Sequence, residues 1–195
     1  MIQSQRVVHM RVIAGTCRGK KLSTPPGVVT RPTSDRVKEA LFSILTSRID
    51  FSGIRALDIC AGTGSLGIEA ISRGADFCCF IESNRSVVAI LDKNLADSGC
   101  KNRSTVLHMD AVTALRRCAG REKHFDLVFF DPPYASDLYQ VVPAALATSD
   151  LLAPAAILVI ECSVRNELPD SYGVLRRFDR REYGDTAIDL FTVGG

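Results

Sequence analysis

The 195-residue sequence predicts an open α/β fold, a mostly parallel sheet with helices on both faces. Three observations carry that expectation. Beyond Gly53, short apolar runs alternate with amphipathic stretches in repeated strand–helix units, the pattern of parallel strands joined by crossover helices. A glycine-rich loop follows the first of those runs and opens a helix. The last two apolar runs are separated only by a short break holding Gly184 and Asp185, too little chain for a crossover, so they should pair antiparallel.

Taken in order, residues 7–14 alternate as a strand does, and residues 15–22 turn back into a second short strand, giving a β-hairpin. Pro25, Pro26, Gly27 and Pro32 then interrupt regular structure. Thr33 or Ser34 can cap a helix running to about residue 48, with Val37, Leu41, Ile44 and Leu45 on one face and Arg36, Lys38 and Glu39 nearer solvent. Core strands are expected at 54–61, 77–82, 105–109, 125–130 and 157–162. Helices are expected at 65–72, 86–95, 111–118 and 138–147. Residues 174–178 and 187–193 supply the closing edge hairpin. The chain thus divides into a basic extension, 1–32, and a main domain, 33–195.

A hydrophobic content of 46% supports a substantial core. Charge is balanced in total but not in place. Up to Lys38, the basic residues Arg6, Arg11, Arg18, Lys20, Lys21, Arg31, Arg36 and Lys38 face the single acid Asp35, an excess of seven positive charges. A basic segment on an otherwise acidic domain suits a polyanion such as nucleic acid, the alternative being a solvated terminus with no partner. The seven cysteines form no Cys-x-x-Cys pair, and His9, His108 and His124 are scattered. A zinc site is therefore disfavoured, and reduced thiols suit a cytoplasmic protein. Cys78 and Cys79 should point to opposite faces of their strand. No long apolar run or secretory pattern is present, which argues against a membrane span and against export.

The loop Asp58-Ile59-Cys60-Ala61-Gly62-Thr63-Gly64-Ser65-Leu66-Gly67 has the spacing of a nucleotide-binding turn, which by itself fits either a nicotinamide cofactor or S-adenosylmethionine. Asp58 favours the second, because a carboxylate there repels a pyrophosphate but can receive a methionyl ammonium. Glu82 ends the second core strand, where it can accept hydrogen bonds from ribose hydroxyls, and Asp110 ends the third, where it can accept one from an adenine amine. Asp131-Pro132-Pro133-Tyr134 ends the fourth. There Asp131 and the Pro132 carbonyl can accept the two hydrogens of an aromatic amine. The proline pair withholds competing amide donors, and Tyr134 can stack on the base. These residues point to direct methyl transfer onto an exocyclic amine, catalysed mainly by alignment. Cys60 and Cys162 carry no argument for nucleophilic roles and read as packing residues.

The loop and the Asp131–Tyr134 run together resemble class I methyltransferases that modify exocyclic amines. Arg11-Val12-Ile13-Ala14-Gly15, Arg18-Gly19-Lys20-Lys21-Leu22, the stretch from Arg31-Pro32-Thr33-Ser34-Asp35-Arg36 to Leu45, and Arg181-Glu182-Tyr183-Gly184-Asp185-Thr186 are similar to the bacterial RsmD family, which methylates guanine N2 in 16S rRNA. The resemblance implies a Rossmann-like, seven-stranded sheet with a reversed terminal strand. It implies S-adenosylmethionine contacts at Asp58, Cys60, Ala61, Gly62, Thr63, Gly64, Glu82, Asp110 and Asp131. It places amine binding at Asp131, Pro132, Pro133 and Tyr134, and RNA contact at Arg11, Arg18, Lys20, Lys21, Arg31 and Arg36. The expected partner is 16S rRNA, within the small subunit or an assembly intermediate, with no obligate protein partner evident. An N6-adenine or N4-cytosine methyltransferase, a nicotinamide oxidoreductase and a non-catalytic RNA-binding protein stay open as alternatives.

Overall fold

The computed structural model describes residues 10–25, 35–120, 124–133 and 137–194. Arg31, the expected cap at Thr33 or Ser34, and Tyr134 lie outside them, as do residues 7–9 of the first expected strand. The helices are α1 (Asp35–Thr46), α2 (Ser65–Arg73), α3 (Arg85–Ser98), α4 (Ala111–Cys118) and α5 (Leu138–Ala147). The strands are β1 (Arg55–Ile59), β2 (Phe77–Glu82), β3 (Ser104–His108), β4 (Phe125–Phe130), β5 (Leu152–Ser163), β6 (Ser171–Tyr172), β7 (Leu175–Tyr183) and β8 (Thr186–Val193).

They form one sheet in the order β3-β2-β1-β4-β5-β8-β7-β6. Strands β1 to β5 pair in parallel, and β8 enters antiparallel between β5 and β7. The two-residue β6 adds an edge strand beyond the seven expected; it pairs only Ser171 with Arg176 and Tyr172 with Leu175. Chain order reverses between β1 and β4, which opens a crevice at their carboxyl ends.

Alternation along the strands builds two apolar layers. Cys78 and Phe129 face one cluster together with Leu41, Phe42 and Ile68, whereas Cys79 and Phe130 face the other with Leu115, Val142 and Leu146. The opposed directions of Cys78 and Cys79 follow from the period of two. Phe42 lies 5.7 Å, centroid to centroid, from both Phe51 and Phe129, locking α1 over the sheet.

The extension joins the first layer rather than hanging from it. Leu22 N–H donates to the Met10 carbonyl at 2.8 Å and Val12 N–H to the Lys20 carbonyl at 2.9 Å, around a single bridge between Arg11 and Lys21. Met10, Val12, Cys17 and Leu22 pack into the same cluster as α1 and α2. At Gly15 (φ 80°) an added Cβ would stand 1.8 Å from the Ser72 carbonyl oxygen, so no side chain fits where the extension crosses the end of α2.

That packing corrects the expected surface position of Lys38. Its side chain is 0% exposed, because the extension covers this face of α1 and offers it the Arg11 carbonyl, 2.7 Å from Nζ.

Candidate active site

Parallel pairing sets the acids side by side. Ile59 is in register with both Ile81 and Phe130, so Glu82 and Asp131, the next residues along, flank Cys60. The Ala61 N–H bonds the Ile81 carbonyl at 3.0 Å and the Asp131 N–H the Ile59 carbonyl at 3.4 Å, carrying the ladders into the loops.

Glu82 ties two loops together. Its carboxylate accepts Gly62 N–H at 3.0 Å and Asn84 N–H at 2.8 Å. Asp58, 1% exposed, accepts Gly67 N–H at 2.9 Å. A Cβ on Gly67 would lie 2.4 Å from the Phe80 ring, so the third glycine of the loop is required by close helix–strand packing. Cys60 holds φ at 60°, a left-handed conformation uncommon outside glycine and typical of functional loops.

Asp58, Cys60, Gly62, Glu82 and Asp131 line a cavity of about 530 Å³ with Ala61, Thr63, Ser65, Leu66, Ser83, Asn84, Ser86, Val87 and Pro133, and the extension closes it with Met10 and Pro25. Burial pushes the Asp58 carboxyl up to about 8, the Gly67 N–H opposing and Glu82 adding to the shift. Asp131 is also raised, by burial first and then by Glu161 and Asp58. Burial with the neighbouring Glu82, Asp131 and Asp58 pushes the Cys60 thiol up to about 12, which leaves it an unreactive lining group. Among the described residues neither Asp58 nor Asp131 joins an ion pair, so the cavity presents buried acids to a cation-bearing guest. Its volume and glycine floor fit S-adenosylmethionine, whose ammonium and sulfonium are the charges this lining lacks.

Pro132 lies behind the wall that Asp131 and Pro133 form. Tyr139 Oη donates to the Glu161 carbonyl at 3.1 Å, with the Pro132 carbonyl at 3.4 Å as the alternative acceptor. Tyr172 Oη holds the Tyr139 carbonyl at 3.0 Å. This buried relay fixes the backbone after β4.

Asp110 stands outside the cavity lining. Its exposed carboxylate caps α4 through Thr113 N–H at 2.9 Å, a bond that lowers its pKa. Among the described residues, the basic side chains of the extension and Arg36 of α1 lie at the surface. Arg18, Lys21 and Arg36 are exposed; Arg11 pairs with Asp35 at 3.0 Å; and Lys20 Nζ donates to the Asp97 and Ser98 carbonyls at 3.2 and 3.0 Å, at the carboxyl end of α3.

Sequence reading missed the walls supplied by Met10, Pro25 and the turn after Glu82. Asn84 had a visible signal, since an Asn directly before a helix is a cap, and its Oδ1 accepts Ser86 N–H at 3.0 Å. Met10 and Pro25 had none, because they arrive through long-range folding of the extension.

Known proteins resemble this chain over most of its length. The family model described as conserved hypothetical protein 95 matches residues 10–192. The chain is 38% identical over 161 residues to the ribosomal RNA small subunit methyltransferase D of Escherichia coli K12, covering 83% of this chain and 78% of that protein. It is 36% identical over 171 residues to the protein of the same name from Haemophilus influenzae, covering 86% and 87%. A solved hypothetical protein of Thermus thermophilus superposes with a TM-score of 0.79 at 29% identity, covering 92% of this chain and 97% of that one. The chain therefore belongs to the conserved hypothetical protein 95 family, the RsmD family, and has the class I methyltransferase fold.

Proposed function

We propose that this protein methylates the exocyclic N2 amine of a guanine in 16S rRNA, at the cavity bounded by Asp58, Glu82 and Asp131. It is an S-adenosylmethionine-dependent rRNA methyltransferase of the small ribosomal subunit. The observation that carries the finer reading is the position of Asp131 and Pro133 in the wall of a cavity whose floor is the glycine loop.

S-adenosylmethionine bound there supplies an electrophilic methyl carbon. Asp58 receives its ammonium, and Glu82, pinned between two loops, receives the ribose hydroxyls. Asp131 accepts one amine hydrogen and the Pro132 carbonyl the other, for which Tyr139 must direct its hydroxyl to Glu161 alone. Burial raises the proton affinity of Asp131, which suits it to take the proton that the amine loses. Tyr134 stacks on the base. Asp110 acts here as a helix cap, with its adenine contact made only by its outward oxygen. Arg11, Arg18, Lys20, Lys21 and Arg31, on an extension spanning 1–32, contact RNA phosphates together with Arg36 at the start of the catalytic domain 33–195. No helix among the described residues is long and apolar enough to cross a membrane, and the cytoplasm, with its assembling subunits, is the working compartment.

The test is transfer of labelled methyl to RNA or small subunits from cells lacking the enzyme, with the modified position mapped. N2-methylguanine at one site is expected. Label on adenine N6 or cytosine N4 would replace the guanine assignment, and no transfer to any preparation would overturn the reading.

A further inference from the structure

Met10 and Pro25 lie at opposite ends of the described extension, and both line the cofactor cavity. Two buried side chains from elsewhere in the fold hold these ends. Asn94 of α3, 0% exposed, accepts Ser23 N–H on Oδ1 at 2.7 Å. Its Nδ2 donates to the Ser23 carbonyl at 3.1 Å and to the Thr63 carbonyl at 3.0 Å. Asn94 thus pairs with the extension as a neighbouring strand would, and spends its remaining amide hydrogen on the glycine loop.

Lys38 of α1 repeats the arrangement at the other end. Its Nζ donates to the Arg11 carbonyl at 2.7 Å and to Ser65 Oγ at 3.0 Å. The Glu69 carboxylate, 3.8 Å from Nζ, accepts the N–H groups of Ile13 at 2.7 Å and Ala14 at 3.0 Å. Thr63 and Ser65 flank Gly64, so both bridges end on the same turn of the loop. A direct contact, Thr63 Oγ1 to Met10 Sδ at 3.2 Å, lies between them.

Each bridge therefore has one end on the backbone carrying Arg11, Arg18 and Lys21, and the other on the floor of the cofactor cavity. A group buried in this way cannot lose one partner without leaving the other misplaced or unsatisfied. We propose that Asn94 and Lys38 are positioning residues that couple the extension to the glycine loop, so that RNA held by the extension and cofactor held in the cavity each tighten the binding of the other. The coupling rests on the reading of the extension as an RNA contact. Free energy linkage requires it to be reciprocal.

The experiment measures the dissociation constant of tritiated S-adenosylhomocysteine by equilibrium dialysis, with and without saturating unmethylated small ribosomal subunits, for the intact protein and for Asn94→Ala. S-adenosylhomocysteine is used because it binds without turnover. Subunits are expected to tighten its binding by about fivefold or more in the intact protein. In Asn94→Ala the ratio should fall to about one, alongside weaker binding overall. A purely structural Asn94 would weaken binding but leave the ratio unchanged, and that result would overturn the proposal. Asn94→Asp keeps the side chain's shape and its bond from Ser23 N–H while turning an oxygen toward two carbonyls; it should give the same loss of ratio in a chain verified as folded by circular dichroism. Subunit binding with a ratio of one in the intact protein would overturn the coupling alone. Absence of subunit binding, or binding indifferent to replacement of Arg18 and Lys21 by Ala, would overturn the RNA reading of the extension as well.

Discussion

Asp58 and Asp189 are both buried carboxylates at the sheet, 1% and 0% exposed, yet they are satisfied in opposite ways. Asp189 on β8 is gripped by Arg177 at 2.9 Å and Arg180 at 2.7 Å, both on the neighbouring β7. Asp58 has one backbone N–H and acidic neighbours, and its pKa moves up to about 8. A buried acid with its own cations completes the fold, whereas one left among other acids leaves room for a cationic guest, as proposed for Asp58.

The contrast can be broken at Asp131 first. Asp131→Asn keeps the shape of the wall and should reduce single-turnover methyl transfer by about 10²-fold or more, with S-adenosylhomocysteine binding changed far less. A parallel loss of binding would place Asp131 among the cofactor contacts only. Asp189→Asn should lower unfolding stability by about 2–3 kcal/mol in urea titrations, less than for a fully enclosed pair because both guanidiniums keep some contact with solvent, and should leave cofactor affinity intact. Asp58→Asn should do the reverse, weakening S-adenosylhomocysteine by about 10- to 100-fold while raising stability at pH 8, where the native carboxyl bears its burial cost.

The same pair sharpens into a pH experiment. The Asp58 pKa is raised from 3.8 to about 8 by folding, so the folded chain holds a proton that the unfolded chain has released between those values. Without cofactor, stability should therefore fall as pH rises from about 4 to 8 and level off above, and Asp58→Asn should flatten that contribution in thermal melts. Affinity for the cofactor ammonium should move oppositely, strengthening up to about pH 8 as the carboxyl ionises. The smallest effect is expected on the extension: Lys21→Ala should weaken RNA binding modestly and reduce the slope of log affinity against log salt by about one.

Much of this was legible in sequence. Helices at 111–118 and 138–147 and the strand at 125–130 follow from uninterrupted apolar periodicity, and the structure places α4, α5 and β4 on those bounds. That Asp58, Glu82 and Asp131 should be neighbours is legible because strand ends converge at a switch point, and all three line one cavity. Asp110 shows the limit of that rule, since an acid ending a strand also begins the next helix, and Thr113 N–H claims it. Lys38 shows another, for a charged residue beside an apolar face is assigned to solvent unless something unseen covers it. What covers it is the extension, whose packing depends on contacts such as Glu69 with Ile13 and Asn94 with Ser23, too distant in sequence for periodicity to report.

The crossing at Gly15 decides which parts of the extension, proposed to contact RNA, are open to redesign. Since the Ser72 carbonyl leaves no room for a side chain there, and Met10 and Pro25 are cavity walls, an extension transplanted from a relative must bring this backbone path intact. Altered substrate choice is then to be sought in outward side chains such as Arg18 and Lys21, which can change without disturbing the floor beneath them.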